Sequence, residues 1–417
     1  MEVIHPRCGA IDVHKKTIVV NVRISVSGSK PKSETRTFGT FTQDILSASD
    51  WLQECGVTHV VMESTGCYWR PVYNVLEGNF ELLVANAHHV KNVSGRKTDV
   101  KDAEWLADLL AHGLLKPSFV PDPALRALRD LTRGRSTLVA QRSTLANRIQ
   151  KLLEEANIKL GSVASEVLGV SGRDMLAQMA IGQDDPVVLA EFARGKLRNK
   201  IGDLQKALEG RMQAHQRILL RELLKQVESL DASIRTLEKE IDVHLRSQTT
   251  APFDATVSLL QTTPGIGKTS AVIVVSEIGT DMARFGSADR LCAWGGAAPG
   301  NNQSGGKRLP GGKRHGNKNL LTCLVECAAS AIQMKDTYFH SQYRRIAARR
   351  GKKRALIAVA HSMLRSFYYM ISSQTPYQDL GADHFEKPNK NRIVNRLVKR
   401  LMDFGYEVNP PQEVVAT

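Results

Sequence analysis

A serine in a basic, glycine-rich stretch is the first feature of this sequence suited to phosphodiester chemistry. From Gly295 to Asn319 the chain contains many glycines, two prolines, five Lys/Arg, no acid and one serine, Ser304. Glycine and proline disfavour helices and strands, so we predict a loop without regular structure. Glycine amides approach phosphates closely and cations add charge-assisted hydrogen bonds, so Ser304 is a candidate nucleophile at a bound phosphodiester. The alternative is a flexible basic linker with an incidental serine.

Four acids near the start of the chain form the second candidate set. Asp12 ends the segment GAID, Glu63 ends VVME, and Asp99 and Asp102 lie three residues apart in KTDVKDAEWLADLL. Two strand ends and one helix face can bring carboxylates together around Mg²⁺, with Mn²⁺ as an alternative ion. Each acid alone also has a structural explanation, as a helix cap, a first-turn acid or an ion-pair partner. The set of four in so basic a chain favours a metal site.

Short alternating and buried runs predict the elements that position these acids. Residues 1–120 are expected to form a mixed sheet covered by helices, an α/β architecture in one compact unit. The predicted strands are Cys8–Val13, Thr17–Val26, Lys32–Phe41, His59–Glu63 and Phe80–Ala87, and the predicted helices are Leu46–Cys55 and Trp69–Leu76.

Two long amphipathic helices dominate residues 121–250. The first carries leucines at 3,4 spacing with Arg135 and Arg142 at seam positions, and the second keeps an apolar heptad from Leu220 to Ile241. These seams predict a coiled-coil arm. The two helices either pack against each other as an antiparallel pair within the chain or form a seam with a second copy.

The C-terminal part, residues 251–417, is predicted to be mostly helical. Around the PGIG turn the pattern indicates a helix-hairpin-helix, whose Gly265, Gly267 and Lys268 would meet a backbone phosphate without reading sequence. This part holds 23 Lys/Arg against 12 Asp/Glu, so most of the net charge of +15 lies here. The other cations that we expect to contact nucleic acid are Lys307, Arg308, Lys313, Arg314, Lys318, Arg344, Arg345, Arg349, Arg350, Lys352, Lys353 and Arg354.

Composition indicates which class of partner the protein binds and in which compartment we expect it. A net charge of +15 and a pI near 9.6 indicate a polyanionic partner. Nucleic acid is favoured over a membrane because no run of 18 apolar residues occurs. The first residues lack an apolar signal-peptide core, and six scattered cysteines do not form a disulfide pattern, so we expect a cytoplasmic protein.

A series of motifs runs along essentially the whole chain: AIDVHK, MESTG, KTDVKDAEWLADLL, SG-x-x-ML, DP-x-x-LA-x-x-ARG, PGIG and AAPGNNQSGGKR. In this order and spacing they resemble the DEDD transposases of bacterial insertion sequences, a family described as bridge-RNA-guided serine recombinases. The resemblance implies three domains: a RuvC-like (RNase H-like) domain at 1–120, a coiled-coil arm at 121–250 and a C-terminal transposase domain at 251–417. Asp12, Glu63, Asp99 and Asp102 would correspond to the family's metal-binding acids, and Ser304 to its nucleophile.

The same resemblance implies a reaction and its partners. The Ser304 hydroxyl would attack donor or target DNA with Mg²⁺ assistance, form a phosphoserine link and free a 3′-hydroxyl. A guide RNA encoded by the element, a dimer or tetramer, and a place at the bacterial nucleoid during activity are implied in the same way. Because the serine and the acids fall in different domains, we predict that the acids of one subunit serve the serine of another.

Two other classes of protein are alternatives. A RuvC-like, structure-selective endonuclease of the junction-resolving type would use the same acids to activate water, with Ser304 only a phosphate contact. A non-catalytic nucleic-acid-binding protein would carry the acids as a degenerate metal site. A covalent link between protein and DNA distinguishes a serine recombinase from both.

Overall fold

The computed structural model describes residues 2–26, 28–64, 66–85, 102–247, 251–300, 303–308, 316–385 and 390–408. For residues 251–252, 303–304, 308 and 390–393 it describes the backbone alone. The chain divides into two compact units, Met1–Pro121 and Asp122–Thr417. The further division of the second unit at residue 251 stays a prediction.

A five-stranded mixed sheet forms the centre of the first unit. Its strands are β1 (Arg7–Val13), β2 (Thr17–Ile24), β3 (Lys32–Gly39), β4 (His59–Glu63) and β5 (Glu81–Ala85), in the spatial order β3-β2-β1-β4-β5. The first three strands form an antiparallel meander, and β4 and β5 continue the sheet in parallel from β1. The predicted mixed α/β sheet is confirmed, although β2 and β3 each end two residues earlier than expected.

Helices cover both faces of this sheet. The helices are α1 (Thr42–Glu54), α2 (Trp69–Leu76) and α3 (Asp102–Ala111). Alternate residues of β1 divide between two cores: Ile11 and Val13 pack with α1 and α2, whereas Cys8 and Ala10 pack with α3. This follows from the two-residue period of a strand, which sends successive side chains to opposite faces.

The second unit begins with two 33-residue helices and the short helices between them. They are α4 (Pro123–Glu155), α5 (Leu160–Val163), α6 (Val170–Ile181), α7 (Pro186–Ala190), α8 (Ile201–Leu208) and α9 (Ala214–Arg246). The chain enters α4 through an Asp122 N-cap followed by Pro123, a strong start signal. The short helices pack around the far end of the arm in one core that includes Leu153, Met175 and Leu204.

The long helices α4 and α9 pack against each other in antiparallel fashion. Leu220, Val227, Ile234 and Ile241 are buried at every seventh position of α9, as the heptad predicts. The seam arginines of α4 pair with acids of α9: Arg142 Nε lies 2.6 Å from Asp231, and Arg135 Nη2 lies 2.7 Å from Glu238. The intrachain alternative is therefore the one observed.

The described residues after α9 form a helical bundle with one small hairpin. Its elements are α10 (Ala251–Leu260), α11 (Lys268–Ile278), α12 (Ala288–Trp294), β6 (Gln303–Ser304), β7 (Lys307–Arg308), α13 (Lys318–Ala331), α14 (Tyr338–Arg350), α15 (Lys352–Ser373) and α16 (Lys390–Asp403). The core of the bundle forms around α15, whose Val359, Met363 and Phe367 are fully buried. Within the described part of the chain, no helix is both long and apolar enough to cross a membrane.

Candidate active site

Asp12 and Glu63 lie at the same edge and on the same face of the sheet. Strands β1 and β4 are parallel, and their register pairs Ile11 with Met62, so Asp12 and Glu63 are the next residues of neighbouring strands. Side chains alternate along a strand, which places both acids on the face that α3 covers. The carboxyl ends of parallel strands are a usual location of ligand sites.

Helix α3 is oriented so that its first residue, Asp102, faces toward this edge. The last residue of α3, Ala111, accepts a hydrogen bond from Ile4 N at 2.8 Å, just before β1 begins. In mid-helix, Ala107 O accepts from Cys8 Sγ at 3.5 Å. The helix therefore runs opposite to β1, and its amino end extends along the strand toward Asp12. The positive end of the helix dipole favours negative charge there.

The predicted metal site is thus only partly described. Asp12 is 16% exposed, and its Oδ2 lies 3.2 Å from Nε2 of His14 in the β1–β2 turn. No group of three or more His, Cys, Asp or Glu side chains among the described residues is arranged to hold a metal ion. Asp99, the fourth predicted ligand, lies outside the described residues. The four-carboxylate metal site stays a prediction, and we name Asp12, Glu63 and the start of α3 the carboxylate edge.

Ser304 ends the first strand of a tight hairpin, which corrects the expectation that its loop lacks regular structure. The backbone of Ser304 in β6 pairs with Lys307 in β7, and Gly305 and Gly306 form the turn between them. Both glycines have positive φ, +56° and +75°, as a primed two-residue hairpin turn requires. Local glycine pairs therefore build a turn where we expected them only to prevent structure. Lys307 is exposed beside the turn.

The two ends of the Ser304 loop, which we define as residues 297–315, meet at its base. A Cβ added to Gly316 would lie 2.3 Å from Gly296 N, so the two backbones touch. Asn317 N donates to Trp294 O at 3.3 Å, and Ala297 N donates to Cys292 O at 3.0 Å. Cations Lys313 and Arg314 of this loop lie outside the described residues, and of Arg308 the backbone alone is described. Lys318, the first residue of α13, is exposed.

A buried carboxylate that sequence reasoning missed lies directly beside this base. The Glu277 side chain, near the end of α11, is 1% exposed. Arg133 of α4 donates to both of its oxygens, at 2.8 and 2.9 Å, and Asn317 Nδ2 donates to Oε2 at 2.6 Å. Arg129 Nε lies 3.4 Å from the same Oε2. We call Arg129, Arg133, Glu277 and Asn317 the Glu277 clamp.

Electrostatics keep this glutamate ionised. Burial by itself raises the pKa of Glu277, but hydrogen bonds from Arg133 and Asn317 and the charges of both arginines outweigh it, so the pKa is lowered from its ordinary value. The only hint in the sequence is a lone acid at the end of the apolar run AVIVVSEIG, where an unpaired charge would be costly.

The predicted phosphate contacts in the turn before α11 differ in their surroundings: one is packed against a helix and the others are open. Gly265, with φ +80°, packs so tightly on α13 that an added Cβ would lie 2.6 Å from Ala331 N, which gives this glycine a structural role. Gly267 caps α11 and has open space around it. Lys268 is exposed and forms an ion pair with Asp242 of α9 at 2.7 Å. Two helices joined by a turn are observed, and the helix-hairpin-helix interpretation stays a prediction.

The run of C-terminal cations surrounds the junction of two helices rather than a single helix end. Helix α14 ends at Arg350, Gly351 has φ +83°, and α15 begins at Lys352. All seven cations are exposed, and none forms an ion pair with any residue that the structure describes. We call this set the basic junction; it comprises Arg344, Arg345, Arg349, Arg350, Lys352, Lys353 and Arg354.

Comparisons with known proteins place both regions in one family. Residues 9–158 match a model of DEDD transposases of the IS110 type, and residues 257–344 match a model described as the transposase IS116/IS110/IS902 family. Together the two matches cover more than half of the chain. They include the carboxylate edge in the first match and Ser304 in the second.

Curated relatives agree with these matches. A probable family 20 transposase of Pseudomonas aeruginosa is 27% identical over 339 residues, which is 79% of this chain and 88% of the relative. The transposase for insertion sequence element IS1111A of Coxiella burnetii is 24% identical over 76% of this chain and 79% of the relative. A 42 kDa protein of insertion element IS900 from Mycobacterium paratuberculosis is 27% identical over 67% of this chain and 73% of that protein. The chain is therefore a transposase of the IS110/IS116 family, an enzyme that cuts and joins DNA.

Proposed function

We propose that this transposase cuts and rejoins DNA through a covalent link to Ser304. The serine hydroxyl attacks a phosphodiester, a bond from Oγ to phosphorus forms, and the bond from phosphorus to the 3′-oxygen breaks. The serine proton passes to a base, and the departing 3′-oxygen takes up a proton to become a 3′-hydroxyl. Attack of a 3′-hydroxyl on a phosphoserine then rejoins strands and releases the serine.

One observation carries this proposal: Ser304 immediately precedes a glycine hairpin turn inside a basic loop. The paired backbones of Ser304 and Lys307 give the serine a defined place, which a flexible linker would not. An exposed cation lies at the other end of the same turn. A serine whose backbone is held in a loop rich in cations suits attack on a phosphate.

We propose that Asp12, Glu63, Asp99 and Asp102 hold Mg²⁺, or Mn²⁺ in its place. The donor set fits, because two carboxylates share one edge and one face of the sheet and the amino end of α3 approaches the same edge. Such an ion, when bound, neutralises developing charge on a phosphate. We further propose that these acids serve the Ser304 loop of another subunit of a dimer or tetramer, so that a lone monomer leaves DNA intact.

Donor and target DNA are the proposed substrates, held mainly through phosphates. The basic junction offers exposed cations that form no ion pair with the residues that the structure describes, and the turn at Gly267 leads into the amino end of α11. A guide RNA encoded by the element is proposed from family resemblance. Guidance by base pairing would leave the protein to recognise backbone and shape, as the basic surfaces permit.

A structure-selective endonuclease is the second candidate, because the carboxylate edge is formed within the first unit without any residue of the Ser304 loop. In that case, the acids would act on a water molecule and no covalent intermediate would form. The two candidates differ in one product, a protein–DNA adduct.

The decisive experiment looks for that adduct. Purified protein is incubated with its co-purifying nucleic acids, DNA of the element ends and Mg²⁺, then denatured. We expect a DNA-linked chain whose modified peptide contains Ser304, and no adduct from Ser304→Ala. Strand cleavage with no adduct, or cleavage retained by Ser304→Ala, would support the endonuclease instead. Ser258→Ala, at an exposed position of α10, serves as the control.

A further inference from the structure

The base of the Ser304 loop is joined to the arm through side chains that the proposed reaction does not itself use. Asn317, the first residue after the loop base, has both ends of its amide engaged. Its Oδ1 accepts from Leu320 N at 3.1 Å and caps α13, and its Nδ2 donates to Glu277. Its main-chain N–H bonds to Trp294 O, at the opposite end of the loop. The orientation of Asn317 therefore fixes where the loop ends.

Glu277 is in turn fixed from the arm. Arg133 binds its carboxylate with two parallel hydrogen bonds, a geometry that defines both distance and angle. Arg129 donates to Ser276 O at 3.0 Å and to Glu277 O at 2.7 Å, so it also holds the last turn of α11. Thr132 Oγ1 lies 3.0 Å from Ser276 Oγ. A continuous set of hydrogen bonds thus runs from α4 through α11 to the end of the Ser304 loop.

A buried ionic cluster is a costly way to stabilise a fold. Apolar side chains of similar volume would fill the same space at equal or lower free energy in many proteins. What the charged cluster adds is direction, because a bidentate arginine and an amide–carboxylate bond accept few geometries. Because the cluster lies at the base of the Ser304 loop, this restricted geometry would define the orientation of the loop.

We infer that the Glu277 clamp positions the Ser304 loop for DNA cleavage and couples it to the arm, which makes Glu277 and Asn317 positioning residues. This inference rests on the proposed serine chemistry for its effect on activity. Its structural part, the link between arm and loop base, is measurable on the protein without DNA. The two parts are therefore testable separately.

Substitutions at Asn317 separate positioning from folding. Asn317→Ser and Asn317→Asp both retain a good N-cap for α13, but neither donates the amide hydrogen bond to Glu277. Asn317→Asp also places a second carboxylate against Glu277. The double change Asn317→Asp with Glu277→Gln restores a hydrogen bond between the two positions with donor and acceptor exchanged and keeps one negative charge near the arginines. It also removes one Arg133 bond, because Oε2 of Glu277 accepts from both Asn317 and Arg133. Thr337→Ser, an N-cap exchange at α14, is the matched control.

Two readouts are followed for each variant. The first is hydrogen exchange of the Ala297 and Asn317 amides, which close the loop base. The second is the rate of Ser304 adduct formation at saturating DNA, with DNA affinity measured in parallel. We expect Asn317→Asp to accelerate exchange and slow adduct formation by about tenfold or more, since it removes a hydrogen bond to a charged group. Affinity should stay within about twofold, because the many phosphate contacts elsewhere are intact.

Rescue by the exchanged pair is the outcome that a merely structural role would not give. We expect the double variant to form adduct faster than Asn317→Asp but more slowly than wild type, because the bond between the two positions returns while one Arg133 bond is lost. A double variant no faster than Asn317→Asp would count against the inference. Wild-type rates and exchange in both Asn317→Ser and Asn317→Asp would overturn the inference. Faster base exchange in a protein whose wild type forms no adduct would uphold the clamp while rejecting the serine mechanism.

Discussion

The carboxylate edge and the Ser304 loop position their candidate functional residues by different means. At the edge, backbone register alone sets Asp12 beside Glu63, because β1 and β4 are parallel and paired up to the preceding residues. The Ser304 loop contains a short hairpin at Ser304, and its base is held by a buried side-chain cluster. Main-chain hydrogen bonds alone set the position of the two acids, whereas in the loop a side-chain cluster adds to the main-chain bonds.

This difference predicts which side-chain substitutions each region tolerates. A register fixed by a whole sheet survives the loss of any one side chain, so we expect substitutions at the edge to change the proposed metal binding and leave the backbone geometry intact. A loop fixed through Glu277 and Asn317 loses geometry when one side chain changes. The predictions that follow separate these cases, beginning with the largest expected effect.

Isosteric changes at the carboxylate edge should abolish chemistry without unfolding the sheet. We expect Asp12→Asn or Glu63→Gln to slow strand cleavage by about a thousandfold, since a metal-binding carboxylate supports several kcal/mol of transition-state stabilisation. The rate of adduct formation measures the effect, and thermal melting checks the fold. Glu81→Gln, at the exposed opposite end of β5, should keep full activity. Equal loss in the Glu81 variant would mean that charge alone, not the edge, matters.

The turn before α11 gives a stability test inside the second unit. Gly265→Ala places a Cβ against Ala331 N and Cys327 O in a backbone with φ +80°. Strain and overpacking together should lower the free energy of unfolding by about 3 kcal/mol. Gly267→Ala meets open space and should change it by less than about 1 kcal/mol. Urea unfolding of the two variants measures this difference. Similar midpoints would show that α13 shifts enough to accommodate the added Cβ without loss of stability.

Acid should weaken the Glu277 clamp in a defined pH range. Because its pKa is lowered on folding, the ionised form contributes stability above the ordinary value of 4.5, and this is lost as pH falls through the folded pKa. Each lowered pKa unit corresponds to about 1.4 kcal/mol. We expect Glu277→Gln to flatten the fall in unfolding free energy below pH 4.5. Asp231→Asn removes another acid of the arm whose pKa is lowered. The pH dependence of its unfolding free energy is measured for comparison with that of Glu277→Gln.

Single cations of the basic junction should have the smallest effects. Arg349→Gln is expected to reduce the slope of log affinity against log salt by about one, the value for one released counterion. Arg365→Gln should leave the slope unchanged, because Arg365 already pairs with Asp289 at 2.9 Å. Fluorescence anisotropy with labelled DNA, repeated at salt concentrations from about 50 to 200 mM, measures the slope for each variant. Equal slopes in wild type and both variants would remove Arg349 from the interface.

Local pattern predicted much of this fold. Strand His59–Glu63 and helix Trp69–Leu76 were predicted with the observed bounds, because apolar periodicity and turn residues mark both ends. The apolar heptad of α9 likewise predicted a packed seam, and its partner proved to be α4 of the same chain. The predicted strand ends put Asp12 and Glu63 near the carboxyl ends of β1 and β4, where the structure has them; their binding of a metal stays a prediction.

Two features could not be predicted from the sequence, because neither is determined by local pattern. The Ser304 hairpin depends on positive φ at Gly305 and Gly306, and a glycine-rich stretch signals conformational freedom without saying which turn forms. The Glu277 clamp joins residues 144 positions apart, so it leaves no periodicity at either end. Tertiary contacts of this kind are absent from local pattern.

The account depends on carboxylates of the first unit acting on the serine of another subunit. Mixing Asp12→Ala protein with Ser304→Ala protein, each inactive alone, tests this most directly. We predict that the mixture regains DNA cleavage and that the adduct forms on the chain carrying Asp12→Ala, which keeps its serine. No adduct at any mixing ratio, or an adduct on the Ser304→Ala chain, would contradict it.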